Sequence, residues 1–209
     1  MMDTETKSLW SHILGTALKG KMKGKRLKPV TSVQTTWASW RDAHPQTKLL
    51  VKDEEVLGSH YQKYYDNPKK MGIFRAQKIY TRMPGKDLVW GTSWGPHAAA
   101  ILESAVGKNR TAEFSLGESP AIALRGNDGG VRAFIAETEG QTMKFSIAEN
   151  GELRDEGTGS LWDTISGTAT QGKLKGKKME ELPVSRVYWF AWSSFYPNTI
   201  VVERLVNAQ

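Results

Sequence analysis

The strongest constraint on this chain is that it carries one block of sequence twice. Ser8-Leu9-Trp10 returns as Ser160-Leu161-Trp162. At the same offset and without a gap, Gly15-Thr16-Ala17 returns as Gly167-Thr168-Ala169, and Gly20-Lys21-Met22-Lys23-Gly24-Lys25 returns as Gly172-Lys173-Leu174-Lys175-Gly176-Lys177. Further on, Trp37, Trp40, Pro45 and Thr47 fall on Trp189, Trp192, Pro197 and Thr199. Solenoids and propellers repeat roughly every 20–50 residues, and this spacing is far longer. The pattern predicts a duplicated domain. Met83 to Thr158 precedes the second copy, whereas the first begins almost at Met1. The first copy is therefore expected to be incomplete, through truncation or a start inside the domain.

Each block reads as strand, turn, strand, helix and strand. Leu161 to Thr170 is rich in Thr, Ile and Trp and is expected as one strand, turned by Gly172 to Gly176 into a second strand over Lys178 to Leu182. Trp189, Trp192 and Phe195 or Tyr196 recur at spacings of three and four, which sets their rings on one face of a short helix. Pro197 stops that helix, and the β-branched run from Asn198 to Val202 follows as a strand. In the first block Trp37 and Trp40 precede Pro45 in the same way. Thr31, Ser32, Thr35 or Thr36, and Ser185 in the second block, are the candidate N-caps.

Between the blocks, Leu88 to Trp94, Ala121 to Arg125, Val131 to Glu137 and Met143 to Ile147 read as strands, with a tight turn at Asn127-Asp128-Gly129-Gly130. Ala98 to Ala105 reads as a short helix. The polar stretch Lys52 to Lys70, with His60, Tyr61, Tyr64 and Tyr65, reads as a linker or docking segment. The expected fold class is α+β and β-rich, a duplicated domain of antiparallel hairpins with one Trp-bearing helix per repeat. The expected division is a truncated first repeat at 1–51, a linker at 52–82 and a complete second repeat at 83–206.

A chain of 209 residues with 39% hydrophobic residues can bury a core, and no run approaches the roughly 20 apolar residues of a membrane-spanning helix. Met1 to Gly20 holds charges and glycine where a signal peptide would carry an apolar run. With no Cys, disulfides and thiolate sites are excluded. Much of the formal charge of +7 is local, in Lys19, Lys21, Lys23, Lys25, Arg26 and Lys28. That stretch lacks the aromatic side chains that stack on bases, so it reads as a solvated hairpin rather than a nucleic-acid surface.

Three sets of residues are candidates for chemistry. Asp155 and Glu156 are a possible carboxylate pair for acid–base work, and a turn capped by Asp155 and Thr158 explains the same residues. His12, His44, His60 and His97 show no metal-binding spacing, so no metal and no cofactor are expected. Trp10, Trp37, Trp40, Trp162, Trp189 and Trp192 are candidate binding residues whose spacing beside strands equally suits a core. No phosphate loop, dinucleotide fingerprint or nucleophile elbow is present.

Three N-terminal runs, Met2 to Ser11, Thr36-Trp37-Ala38-Ser39-Trp40 and His44-Pro45-Gln46-Thr47, resemble a prokaryotic family known as domain of unknown function 3179. Asp155 to Trp162, Tyr188-Trp189-Phe190-Ala191-Trp192, Tyr196-Pro197-Asn198-Thr199 and Pro84 to Val89 carry the same resemblance. It implies an exported protein of two halves with no established activity. It also implies a His-containing segment and a Cys-Pro-x-Cys motif in the first half, absent from this chain, and Ala98-Ala99-Ala100 departs from the family's Ala-Tyr-Pro. The reading is therefore a non-catalytic structural or binding module of an extracytoplasmic envelope protein. An envelope-polymer hydrolase is the alternative, and nucleic-acid binding through the Lys-rich hairpins a weaker one. The expected partner is the missing N-terminal part of the same protein or a second copy.

Overall fold

The computed structural model describes residues 1–51, 61–72, 81–107, 111–148 and 151–203. Its chain divides into two units, Met1–Thr31 and Ser32–Gln209. His60 and most of the linker expected at 52–82 lie outside the described residues.

In the first unit, β1 (Leu9–Ser11) and β2 (Thr16–Lys19) pair antiparallel, with Trp10 opposite Ala17. Gly15 turns the chain at a φ of 60°, in the left-handed region where a Cβ is strained. Single bridges extend the pair on both sides, Met2 to Leu9 and Thr16 to Arg26. The Lys-rich stretch forms the turn after β2, with the Lys23 amide donating to the Gly20 carbonyl at 3.1 Å and the Gly24 amide to Ala17 at 2.9 Å. All six of its cationic side chains are exposed.

The second unit begins with α1 (Trp37–Ala43) and α2 (Gln62–Tyr65). Strands follow as β3 (Leu88–Trp94), β4 (His97–Leu102), β5 (Thr111–Leu116), β6 (Ser119–Arg125) and β7 (Val131–Ile135). Next come β8 (Glu137–Thr138), β9 (Gln141–Thr142), β10 (Phe145–Ile147), β11 (Leu153–Asp155), β12 (Leu161–Trp162) and β13 (Ala169–Gln171). The unit closes with β14 (Glu181–Leu182), β15 (Val184–Tyr188), α3 (Trp189–Phe195) and β16 (Ile200–Val202). The molecule is β-rich and largely antiparallel, with sheet orders β15-β3-β4-β16, β14-β7-β6-β5 and β10-β11-β12-β13. The pairing of β16 with β4 is parallel.

The middle sheet carries the packing. Along β6 and β7, Ala121, Ala123, Val131 and Ala133 enter one core with Trp90, Ile101, Val106 and Leu182. The alternating residues Ile122, Leu124 and Phe134 enter a second core with Phe145, Leu153, Trp162 and Met179. A sheet buried on both faces needs a continuous apolar run rather than alternation, and Ala121-Ile122-Ala123-Leu124 supplies it. Each large side chain buried this way contributes about 1.5–3 kcal/mol.

Several expectations are corrected. Ala98 to Ala105 is not a helix: Gly95, at a φ of 55°, turns β3 back into β4, which pairs on both edges. Alanine's helix propensity is a weak prior beside two strand ladders and the burial of Ala98, Ala99 and Ala100 between them. Leu161 to Thr170 is two short strands around a turn, because Asp163 accepts the Ile165 amide at 2.9 Å and Gly167 takes a φ of 66°. Val131 to Glu137 breaks at Ala136, which follows in register opposite Pro120: its amide donates to the Pro120 carbonyl at 2.9 Å, and Pro120 has no N–H to return the bond. Ser185 lies inside β15 opposite Gly91, and Tyr188 is the N-cap residue of α3. The first amides of α3 are satisfied by main chain, Trp189 donating to Asp87 at 2.8 Å and Phe190 to Gly85 at 2.9 Å.

The two helices occupy different settings. Thr36 caps α1 by accepting the Ser39 amide at 3.1 Å, and Thr35 donates to the Asp128 carbonyl in the Asn127 to Gly130 turn at 2.5 Å. None of the α1 side chains is buried, whereas α3 buries Trp189, Trp192 and Ser193. Trp192 lies flat over β3, so that a Cβ at Gly91 would sit 2.6 Å from its Cδ2.

Candidate functional site

Asp155 stands at the end of β11, where the chain turns into β12. Its carboxylate accepts the Thr158 amide at 2.7 Å, the Thr158 hydroxyl at 2.8 Å, the Ser160 amide at 3.0 Å and the Trp162 indole N–H at 3.3 Å. Burial opposes ionisation, but these donors outweigh it and hold the carboxyl below the ordinary carboxylate range. The Ser160 hydroxyl then accepts the Leu174 amide at 3.1 Å, joining the Asp turn to the Lys-rich turn.

The first unit contains the same set of bonds. Asp3 accepts the Thr6 amide at 2.5 Å, the Thr6 hydroxyl at 2.8 Å, the Ser8 amide at 3.1 Å and the Trp10 indole N–H at 2.9 Å. The Ser8 hydroxyl accepts the Met22 amide at 3.0 Å. Chiefly through the Trp10 and Thr6 bonds, Asp3 is lowered to about 2. The correspondence extends to the helices, where Trp40 donates to Thr47 Oγ1 at 2.9 Å and Trp192 to Thr199 Oγ1 at 3.0 Å. Asp3 and Asp155 share the offset of the repeated block, and that coincidence was the signal available in the sequence.

The candidate residues separate accordingly. Asp155 is buried and saturated with donors, while Glu156 is exposed and contributes its amide to the Lys144 carbonyl at 2.9 Å. Trp162 packs edge-on against Phe145 at 5.7 Å, and Trp189 is buried beneath the Arg82 guanidinium at 5.1 Å. Trp10 and Trp40 are half-buried, with the Trp40 ring 4.1 Å from that of His44. Trp37 is 47% exposed. His12 and His97 are exposed and His44 half-buried. Among the described residues no group of three His, Asp or Glu side chains is placed to hold a metal.

A second buried carboxylate, Asp128, sits in the β6–β7 turn and forms a fork with Arg132 at 2.8 and 2.6 Å. Burial raises its pKa, and the Arg132 bonds, the Gly130 amide and the nearby His44 charge more than offset this. This pair, too, is spent on holding a turn.

The sequence did not single out a cleft of about 350 Å³ where the start of β4, the β5–β6 turn and the loop after α3 meet. His97, Ser115, Phe195, Tyr196, Asn198 and Thr199 are among its lining residues. Gly117 turns the chain at a φ of 66°, and a Cβ there would meet His97 Cδ2 at 2.7 Å. The loop is fixed from behind: Thr199 accepts the Trp192 indole, its amide donates to Tyr196 at 3.0 Å, and its carbonyl accepts Arg82 at 2.8 Å.

The family described as protein of unknown function (DUF3179) matches residues 1–199. The chain belongs to this family. No curated protein and no solved structure matches it. The DUF3179 match spans both Asp turns, both Trp-bearing helices and nearly the whole cleft loop.

Proposed function

We propose that this DUF3179 chain is a non-catalytic structural or binding module of an exported cell-envelope protein, built on a duplicated turn-and-helix block. The observation that carries the reading is the use made of its buried carboxylates. Asp155 and Asp128 both spend their oxygens on fixing turns, as does Asp3 in the first unit. A general acid or base needs a free lone pair or proton facing substrate, and saturated carboxylates below their ordinary range are poor at either task. The duplication is supported by the matching donors around Asp3 and Asp155 and by matching positive φ at Gly15 and Gly167, Gly20 and Gly172, and Gly24 and Gly176. The bridge from Met2 to Leu9 corresponds in place to the β11–β12 pairing, and β11 is additionally paired by β10. That comparison supports a partner that adds a strand beside Met1 to Asp3, from another segment or a second copy.

Two assays test the proposal. The tagged protein expressed in a prokaryotic host that carries the family should fractionate with the envelope and be accessible to protease added outside the cytoplasmic membrane. Purified chain incubated with isolated envelope polymer should release no soluble fragments. A wholly cytosolic protein, or turnover of the polymer abolished by Asp155→Asn or Glu156→Gln, would contradict it.

A further inference from the structure

We infer that the cleft between the start of β4, the β5–β6 turn and the loop after α3 binds an uncharged saccharide; this rests on the binding-module reading. Among the described residues of the lining His97 is the one imidazole, and no Lys, Arg, Asp or Glu is found there, although the chain is rich in all four. An anionic or cationic ligand would enter without a counter-charge, which is costly wherever water is displaced. A neutral ligand meets no such penalty.

The polar groups that remain suit hydroxyls. The Asn198 amide offers two donors and an acceptor, the Ser115 hydroxyl both roles, and the His97 imidazole one of each when neutral. Among the described residues none of these three side chains is engaged in a hydrogen bond, while Thr199, next to Asn198, is pinned through its hydroxyl by Trp192 and through its main chain by Arg82 and Tyr196. Free polar heads on a fixed frame lose little entropy on binding, which is the arrangement a weak polar ligand requires.

The apolar groups suit the other face of a sugar ring. Phe195 is 40% exposed in the last turn of α3, and Tyr196 follows it with its ring 4.4 Å from that of Trp192. A pyranose presents C–H groups on one face and hydroxyls around its rim, matching an aromatic beside an amide and a hydroxyl. A volume of about 350 Å³ lies at the small end for ligand sites and fits a short stretch of glycan rather than a protein surface.

The test uses the full chain, labelled with ¹⁵N and titrated with cellotriose, maltotriose and N-acetylchitotriose, with trigalacturonate as an acidic control. At least one neutral trisaccharide should shift the amides of Ala98, Ser115 and Asn198 and saturate in the millimolar range or below. Phe195→Ala and Asn198→Ala, both at exposed positions, should each weaken binding about tenfold while leaving the remaining spectrum in place. Preference for the acidic trimer, shifts confined to other residues, or affinity unaffected by both substitutions would overturn the inference. Absence of any shift up to about 20 mM would also overturn it. In every one of these cases co-sedimentation of the chain with isolated envelope would leave the binding-module reading standing, whereas release of soluble fragments would sink that reading instead.

Discussion

Lys7 and Gly159 occupy the same place in the two Asp turns, one residue before Ser8 and Ser160, and both take left-handed backbone, at φ of 54° and 69°. Glycine adopts that conformation freely; a lysine there costs roughly 1 kcal/mol. Lys7→Gly should therefore slow hydrogen exchange at the amides of β1 and β2 by up to about fivefold, and Gly159→Ala should destabilise β12 and β13 by about 1 kcal/mol. Exchange rates followed residue by residue by NMR would check both. Faster exchange in Lys7→Gly would show that its side chain contributes more than its backbone costs.

The contrast between the helices gives a second prediction. Trp192→Ala should lower unfolding free energy by about 3–5 kcal/mol, since the indole is buried and bonded to Thr199. Gly91→Ala, which drives a methyl into that same ring, should cost about 1–3 kcal/mol. Trp37→Ala should stay within about 1 kcal/mol, because that side chain is largely in solvent. Urea denaturation of the three variants measures the ranking, and an equal loss at Trp37 and Trp192 would contradict the packing described here.

Acid should attack the turns first. Asp3 titrates at about 2 against an ordinary 3.8, and Asp155 and Asp128 are also depressed. A carboxylate with a lowered folded pKa contributes stability that is complete above its unfolded value and is lost as pH falls through the folded one. The urea midpoint should be flat from about pH 7 to 5 and fall from about pH 4 towards 2. The Asp155→Asn protein, already lacking one such contribution, should show a shallower fall. A midpoint that declines on raising the pH from 4 to 6 would contradict the sign.

The legible part of the fold was whatever a repeated residue or a turn residue dictates locally. The Trp spacing placed both helices, and Asn127 to Gly130 and Gly172 to Gly176 placed their turns, because φ preferences and side-chain periodicity act within a few residues. What failed to show was set by distant partners. Ala98 to Leu102 becomes a strand only because β3 and β16 flank it. Thr111 to Leu116 is not among the strands expected from the sequence, and its ladder with β6 supplies the reason it forms. At the site, Asp155 and Thr158 were legible as a turn, whereas the cleft joins His97 from the start of β4, Ser115 from the end of β5 and Asn198 from the loop after α3, and has no local signature.

The account rests on Asp155 being a structural acceptor for Trp162, and a double-mutant cycle on that pair tests it most directly. Urea denaturation of the wild type, Asp155→Asn, Trp162→Phe and the double variant yields the coupling. The prediction is a loss of about 2–3 kcal/mol for Asp155→Asn, with a coupling to Trp162 of at least about 0.5 kcal/mol. Unchanged or increased stability in Asp155→Asn, with no coupling, would contradict it and mark the carboxylate as one held in place for chemistry.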